Sequence, residues 1–128
     1  MKTYQIFLKD IKIGTTQFEK ADPSMGVVYG VIFLESFVNY RFIKDYCSEN
    51  KIELAFDYPE DNVISTQTLS DLKVYNAENI LIEYAGNQIT GMNSENFEIV
   101  LEGIAYPFFE VEFPDHVKDY NDLYKERK

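Results

Sequence analysis

Residues 97–102 read Phe97-Glu98-Ile99-Val100-Leu101-Glu102. In an extended chain successive side chains point to opposite faces, so Phe97, Ile99 and Leu101 fall on one side and Glu98, Val100 and Glu102 on the other. A helix would scatter the same residues around its axis. One apolar face and one largely acidic face describe a strand that lies on a core and meets water, as antiparallel sheets do.

The segments on either side extend this reading. Upstream, Ile80, Ile82 and Tyr84 alternate with Leu81, Glu83 and Ala85. Gly86-Asn87 has hairpin-turn chemistry, Gln88–Met92 reads as the returning strand, and Asn93–Asn96 turns the chain again. Downstream, Ile104–Tyr106 and, past Pro107, Phe108–Phe113 alternate once more until Pro114. Short strands are also expected over Ile52–Phe56, Val63–Leu69 and Leu72–Tyr75. In the first third, Tyr4, Ile6 and Leu8 alternate with polar residues, and Ile11–Phe18 continues with a bulge at Gly14. Ala21–Gly26 is a loop, and the apolar run Val27–Leu34 reads as a strand buried on both faces.

Two helices complete the pattern. Ser36 is placed to cap the first, whose stripe is Phe37, Tyr40, Ile43 and Cys47 and whose end is Asn50. Asp115 is placed to cap the second, with Val117, Tyr120, Leu123 and Tyr124 as its stripe. The expected class is α+β: a predominantly antiparallel sheet with one central and one C-terminal helix, in a single domain over residues 1–128. The pattern leaves open whether the sheet closes partly into a barrel.

Charge is distributed unevenly. Residues 52–114 hold twelve acidic side chains and one basic one, Lys73, a net charge of −11. Residues 1–51 hold seven basic and six acidic residues, and residues 115–128 four of each. The chain's net −10 therefore resides in its middle. Such a balance argues against nucleic acid and anionic membranes as ligands, since both are bound through Lys and Arg. A one-signed surface favours a basic protein partner. Ten Phe and ten Tyr argue against disorder. No apolar run approaches the roughly 18 residues of a membrane span, and Met1–Leu8 lacks the apolar stretch of a signal peptide. One cysteine, Cys47, allows no internal disulfide and fits a reducing compartment, so the expected location is cytoplasmic.

Most candidate sites have a plainer role beside the functional one. His116 could be a general base oriented by Asp115, but sequence neighbours at a helix start rarely face each other, and an exposed first-turn histidine is the simpler reading. Cys47 reads as a small hydrophobe on a helix stripe. One Cys and one His cannot make a zinc site, and no phosphate loop is present. Asp57, Glu60 and Asp61 supply oxygens that suit a hard cation, without the ligand spacing of a calcium loop, so a solvated acidic turn is expected. Glu110 and Glu112, two apart on an expected strand, would share a face about 6.6 Å apart, a separation compatible with acid–base work on a sugar. Glu83, Glu98 and Glu102 are the sharpest acidic signal, because a sheet face of like charges forgoes cross-strand ion pairs.

The segment Asp22-Pro23-Ser24-Met25-Gly26-Val27 resembles a motif of small bacterial proteins in which an opening hairpin leads into Asp-Pro-x-Met-Gly-Val. Ile64-Ser65-Thr66-Gln67-Thr68 and Tyr106-Pro107-Phe108-Phe109 are similar in flavour. That likeness brings no chemistry with it. In size and acidity the chain also resembles the immunity proteins of bacterial toxin systems, a compositional likeness. The leading expectation is a small acidic binding protein, such as an immunity protein occluding a basic toxin. Its binding residues would be Glu83, Glu98 and Glu102, then Asp57, Glu60 and Asp61, with no catalytic residues, metal or cofactor. The alternative is a small enzyme or ligand-binding domain using Glu110, Glu112 and His116 near an aromatic pocket.

Overall fold

A computed structural model of the chain describes residues 2–92 and 96–126. Among these residues lie nine strands: β1 (Tyr4–Leu8), β2 (Ile11–Thr16), β3 (Lys20–Asp22), β4 (Val27–Leu34), β5 (Leu54–Tyr58), β6 (Val63–Thr66), β7 (Leu72–Tyr75), β8 (Gly86–Met92) and β9 (Asn96–Glu102). Three helices accompany them: α1 (Tyr40–Glu49), α2 (Phe108–Glu112) and α3 (Pro114–Glu126). The strands form one antiparallel sheet in the order β5-β6-β8-β9-β4-β2-β1-β7, with β3 paired to β4. The class is α+β, and the sheet is not closed.

The opening strand behaves as its alternation requires. Phe97, Ile99 and Leu101 are wholly buried on the core face, and Glu98 and Glu102 are exposed on the outer one. Tyr4, Ile6 and Leu8 of β1, Val28 and Ile32 of β4, and Ile89 of β8 join the same core. Each such side chain contributes about 1.5–3 kcal/mol by leaving water. The bulge expected at Gly14 is present. Ile6 pairs with Gly14 but Phe7 with Lys12, so Ile13 is the extra residue.

Helix α1 ties the two ends of the open sheet together. Its stripe is Tyr40, Ile43, Tyr46 and Cys47, all buried. The Tyr40 hydroxyl donates to Asp57 on β5, and Lys44 Nζ stands 3.2 Å from the same carboxylate. At the far end Tyr46 donates to Asp71 over 3.2 Å, just before β7, and Lys9 donates to Asn50 over 2.7 Å. The helix begins one turn later than expected. Asn39, not Ser36, caps it by accepting from the Phe42 N–H at 3.0 Å. Asn50 ends it as expected.

Three other readings are corrected. Gly86-Asn87 is not a turn but the start of β8, and both residues are buried. The Asn87 side chain accepts from the Leu69 N–H and donates to the Leu69 carbonyl, each at 2.9 Å, so it stitches the loop between β6 and β7 to the sheet. Residues 80–85 form a loop with a single bridge, Leu81 to Tyr75, instead of a strand. Phe108–Phe113 is not a strand. Phe109, Glu112 and Phe113 are buried while Val111 is 74% exposed, so a three–four periodicity prevails over alternation. Of the turn expected at Asn93–Asn96, residues 93–95 lie outside the described residues.

Two hairpins turn in the same way. Pro23–Met25 and Pro59–Asp61 each form one 3-10 turn, closed by a residue in the left-handed region: Gly26 at φ 64° and Asn62 at φ 54°. Each closing N–H donates to the proline carbonyl, at 3.2 Å and 3.3 Å.

Candidate functional site

Two regions gather unusual side chains. The first is the outer face of β5, β6, β8, β9 and β4. The pairing register sets Phe56, Ser65, Thr90, Glu98 and Val31 in one row across these strands. Beside that row Tyr58 pairs with Val63 and Met92 with Asn96. Phe33 stands two residues beyond Val31, on the same face. Phe33 is 60% exposed, Tyr58 54% and Met92 53%. The Phe56 and Tyr58 rings lie 5.4 Å apart. Ser65, Thr90 and Gln88 satisfy one another at 2.8–2.9 Å in the middle of the face.

This patch was not legible in the sequence. Val27–Leu34 reads as buried on both faces, whereas Val31 and Phe33 face outward and stay largely open to water. An apolar run does not distinguish a second core from an open surface.

The acids expected to bind are spread around this face in different states. Glu98 and Glu102 are exposed on β9, with Glu98 inside the aromatic row. The Glu102 side chain lies over Gly86, where an added Cβ would sit 2.7 Å from its Oε1. Glu83 is exposed in the loop before β8, which joins β9 through the Ala85 N–H to the Glu102 carbonyl at 2.9 Å. Glu60 and Asp61 are exposed on the second turn. Asp57 stands apart from them: its carboxylate points to α1 and is held by Tyr40 and Lys44.

The second region is a cleft of about 980 Å³ where the start of α3 meets β1 and the Gln17–Glu19 loop. The Glu112 carboxylate lies at its base, only 6% exposed. Tyr4 Oη donates to its Oε2 over 2.7 Å and Asn76 Nδ2 to its Oε1 over 2.7 Å. Lys2 Nζ donates to the Glu112 carbonyl at 2.8 Å and stands 3.4 Å from Oε2. Burial, and then the hydrogen bond to Glu112, push the Tyr4 phenol far above its ordinary pKa, so it remains a donor. His116 also lines the cleft, with Nε2 2.6 Å from the Phe18 carbonyl. Glu110 does not belong to it. On a helix, residues two apart point away from each other, and Glu110 is exposed where Glu112 is buried. Glu110, Glu112 and His116 therefore do not converge, and the paired-carboxylate geometry expected of a strand is absent.

Cys47 is buried, and burial raises its pKa, which suits a hydrophobe more than a nucleophile. Among the described residues no group of three or more His, Cys, Asp or Glu is placed to hold a metal ion, and no helix is long and apolar enough to cross a membrane. Comparison with protein-family models, with curated proteins and with solved structures returns no match.

Proposed function

We propose that this chain is a small acidic binding protein that occludes a basic protein partner with the outer face of its sheet. The observation that carries the reading is the row Phe56–Ser65–Thr90–Glu98–Val31, in which Phe56, Glu98 and Val31 are exposed around a buried Ser65, flanked by exposed Tyr58, Met92 and Phe33. Apolar groups of this size left in water are characteristic of interaction surfaces, and aromatic anchors supply most of the energy of protein interfaces. Glu98 within the row, with Glu60, Asp61, Glu83 and Glu102 around it, gives that surface its sign. Acids at such a rim accelerate encounter with a cationic partner and reject anionic ones. An intracellular immunity protein covering a basic toxin is the specific form of this reading that best fits the small size and the −11 central segment.

The test compares wild type with Phe33→Ser and Glu98→Lys in affinity capture from the native host's extract at low and high ionic strength. A basic protein should be retained by wild type at low salt, lost by Phe33→Ser and repelled by Glu98→Lys. A partner held equally by all three variants, or none at low salt, would overturn the proposal.

A further inference from the structure

The cleft at the start of α3 supports a second, independent binding role. Glu112 is a carboxylate almost fully withdrawn from water, and a buried charge is tolerated when it is hydrogen-bonded and paired. Tyr4 and Asn76 give it short hydrogen bonds but no charge. Among the described residues Lys2 alone brings a positive charge to Glu112, and its seat is loose. Its distance to the carboxylate, 3.4 Å, exceeds the roughly 2.7–2.9 Å of a good charge-assisted bond. Its side chain is 48% exposed, against 7% for that of Glu112. Its shorter bond, 2.8 Å, goes to the Glu112 main-chain carbonyl. Carboxylate and carbonyl together form an acceptor pair already shaped around an ammonium group.

The surroundings of that seat favour cations and leave them room. Asp115 and Asp119, one helical turn apart on α3, line the cleft together with Gln5 and Gln17. Its other walls include Tyr4, Phe18 and Phe113, whose buried rings pack 5.0–6.2 Å apart and back the cleft with apolar core.

We infer that this cleft binds a small organic cation, a primary ammonium or a guanidinium, which takes the place of the Lys2 ammonium on Glu112. Lys2 is then an internal occupant that lowers the apparent affinity by the fraction of time it fills the seat.

The test is a titration of the isotopically labelled protein, followed by amide NMR, with n-butylammonium and n-butylguanidinium, and with butyrate as the anionic control. The cations should shift the Tyr4, Glu112 and His116 amides saturably, while butyrate leaves them in place. Lys2→Ala should bind both cations several-fold more tightly, and Glu112→Gln should lose binding. Should Glu112→Gln not fold, Asp115→Asn combined with Asp119→Asn provides the second readout, with several-fold weaker binding expected. Equal shifts with butyrate, no gain in Lys2→Ala, or unchanged affinity in the double Asp variant would overturn the inference.

Discussion

The two proline-led turns have nearly the same backbone and opposite surroundings. In the first, Pro23 and Gly26 are buried, Gly26 accepts from the Ile104 N–H at 3.0 Å, and Tyr106 donates to the Pro23 carbonyl at 2.9 Å. In the second, Pro59, Glu60, Asp61 and Asn62 are all exposed. Local chemistry makes the turn; what packs on it decides whether it becomes core or surface. The acids divide similarly. Glu112, in the cleft at α3, is buried and holds Tyr4, Asn76 and Lys2, whereas Glu98 on the outer face is left to water. The −11 segment is thus two populations: a few carboxylates that organise the fold, and a larger group free to meet something else.

The largest expected effect is at Glu112. Glu112→Ala strands a buried phenol and a buried amide and should cost about 3 kcal/mol in urea denaturation. Glu98→Ala should stay within about 0.5 kcal/mol. Equal losses would erase the distinction between the two populations. The turns give the next contrast. A Cβ at Gly26 would sit 2.5 Å from the Ile104 carbonyl oxygen at a φ of 64°. Gly26→Ala should therefore cost roughly 2 kcal/mol, while Asn62→Gly, which relieves a left-handed residue in the open turn, should be close to neutral.

Alkaline pH should bring out the organising group by another route. Burial, followed by the Asp71 charge, pushes the Tyr46 phenol from 10.0 up to about 12. The unfolded chain therefore releases this proton from about pH 10 upward while the folded chain retains it. Stability from Tyr46 is complete below that point and declines as pH rises towards 12. Tyr4, raised by burial and by Glu112, acts in the same direction. The urea midpoint of wild type should fall between about pH 10 and pH 12, and that of Tyr46→Phe should fall less. An equal decline in both would show that Tyr46 is not one of the controlling groups.

Much of the sheet was legible because alternation survives wherever one face is wet, as at residues 4–8 and 97–102. Legibility failed where two periodicities compete. Phe109 and Phe113 are compatible with both a strand and a helix, and only their burial beside Glu112 decides for the helix. It failed again where a turn-forming pair serves another purpose, as when Asn87 spends its amide on Leu69. The exposed Phe33 and the union of Lys2, Tyr4, Asn76 and Glu112 depend on contacts between distant segments, up to 110 residues apart, that no local pattern encodes. The two turns share a Pro-x-x-Gly/Asn-Val signature, which carries no regular period and so stands outside any reading by hydrophobic alternation.

The smallest effect on stability should separate acids only a few residues apart. Asp57 holds Tyr40 and Lys44, so that α1 is fastened to the edge strand β5. Burial and the bond to Asp57 raise the Tyr40 pKa, which keeps the phenol a donor. Glu60 and Asp61 begin two residues beyond the same strand end and are exposed on the turn. Asp57→Asn should lower the melting temperature and increase hydrogen exchange in α1, because an amide accepts the Tyr40 proton less strongly and carries no charge for Lys44. Glu60→Gln combined with Asp61→Asn should leave both unchanged. That pair should instead slow association with a basic partner and flatten its salt dependence, since a rim charge acts on encounter more than on the fold. Should the double variant unfold the protein as Asp57→Asn does, the second turn would be structural after all, and the division between organising and free carboxylates would have to be drawn elsewhere.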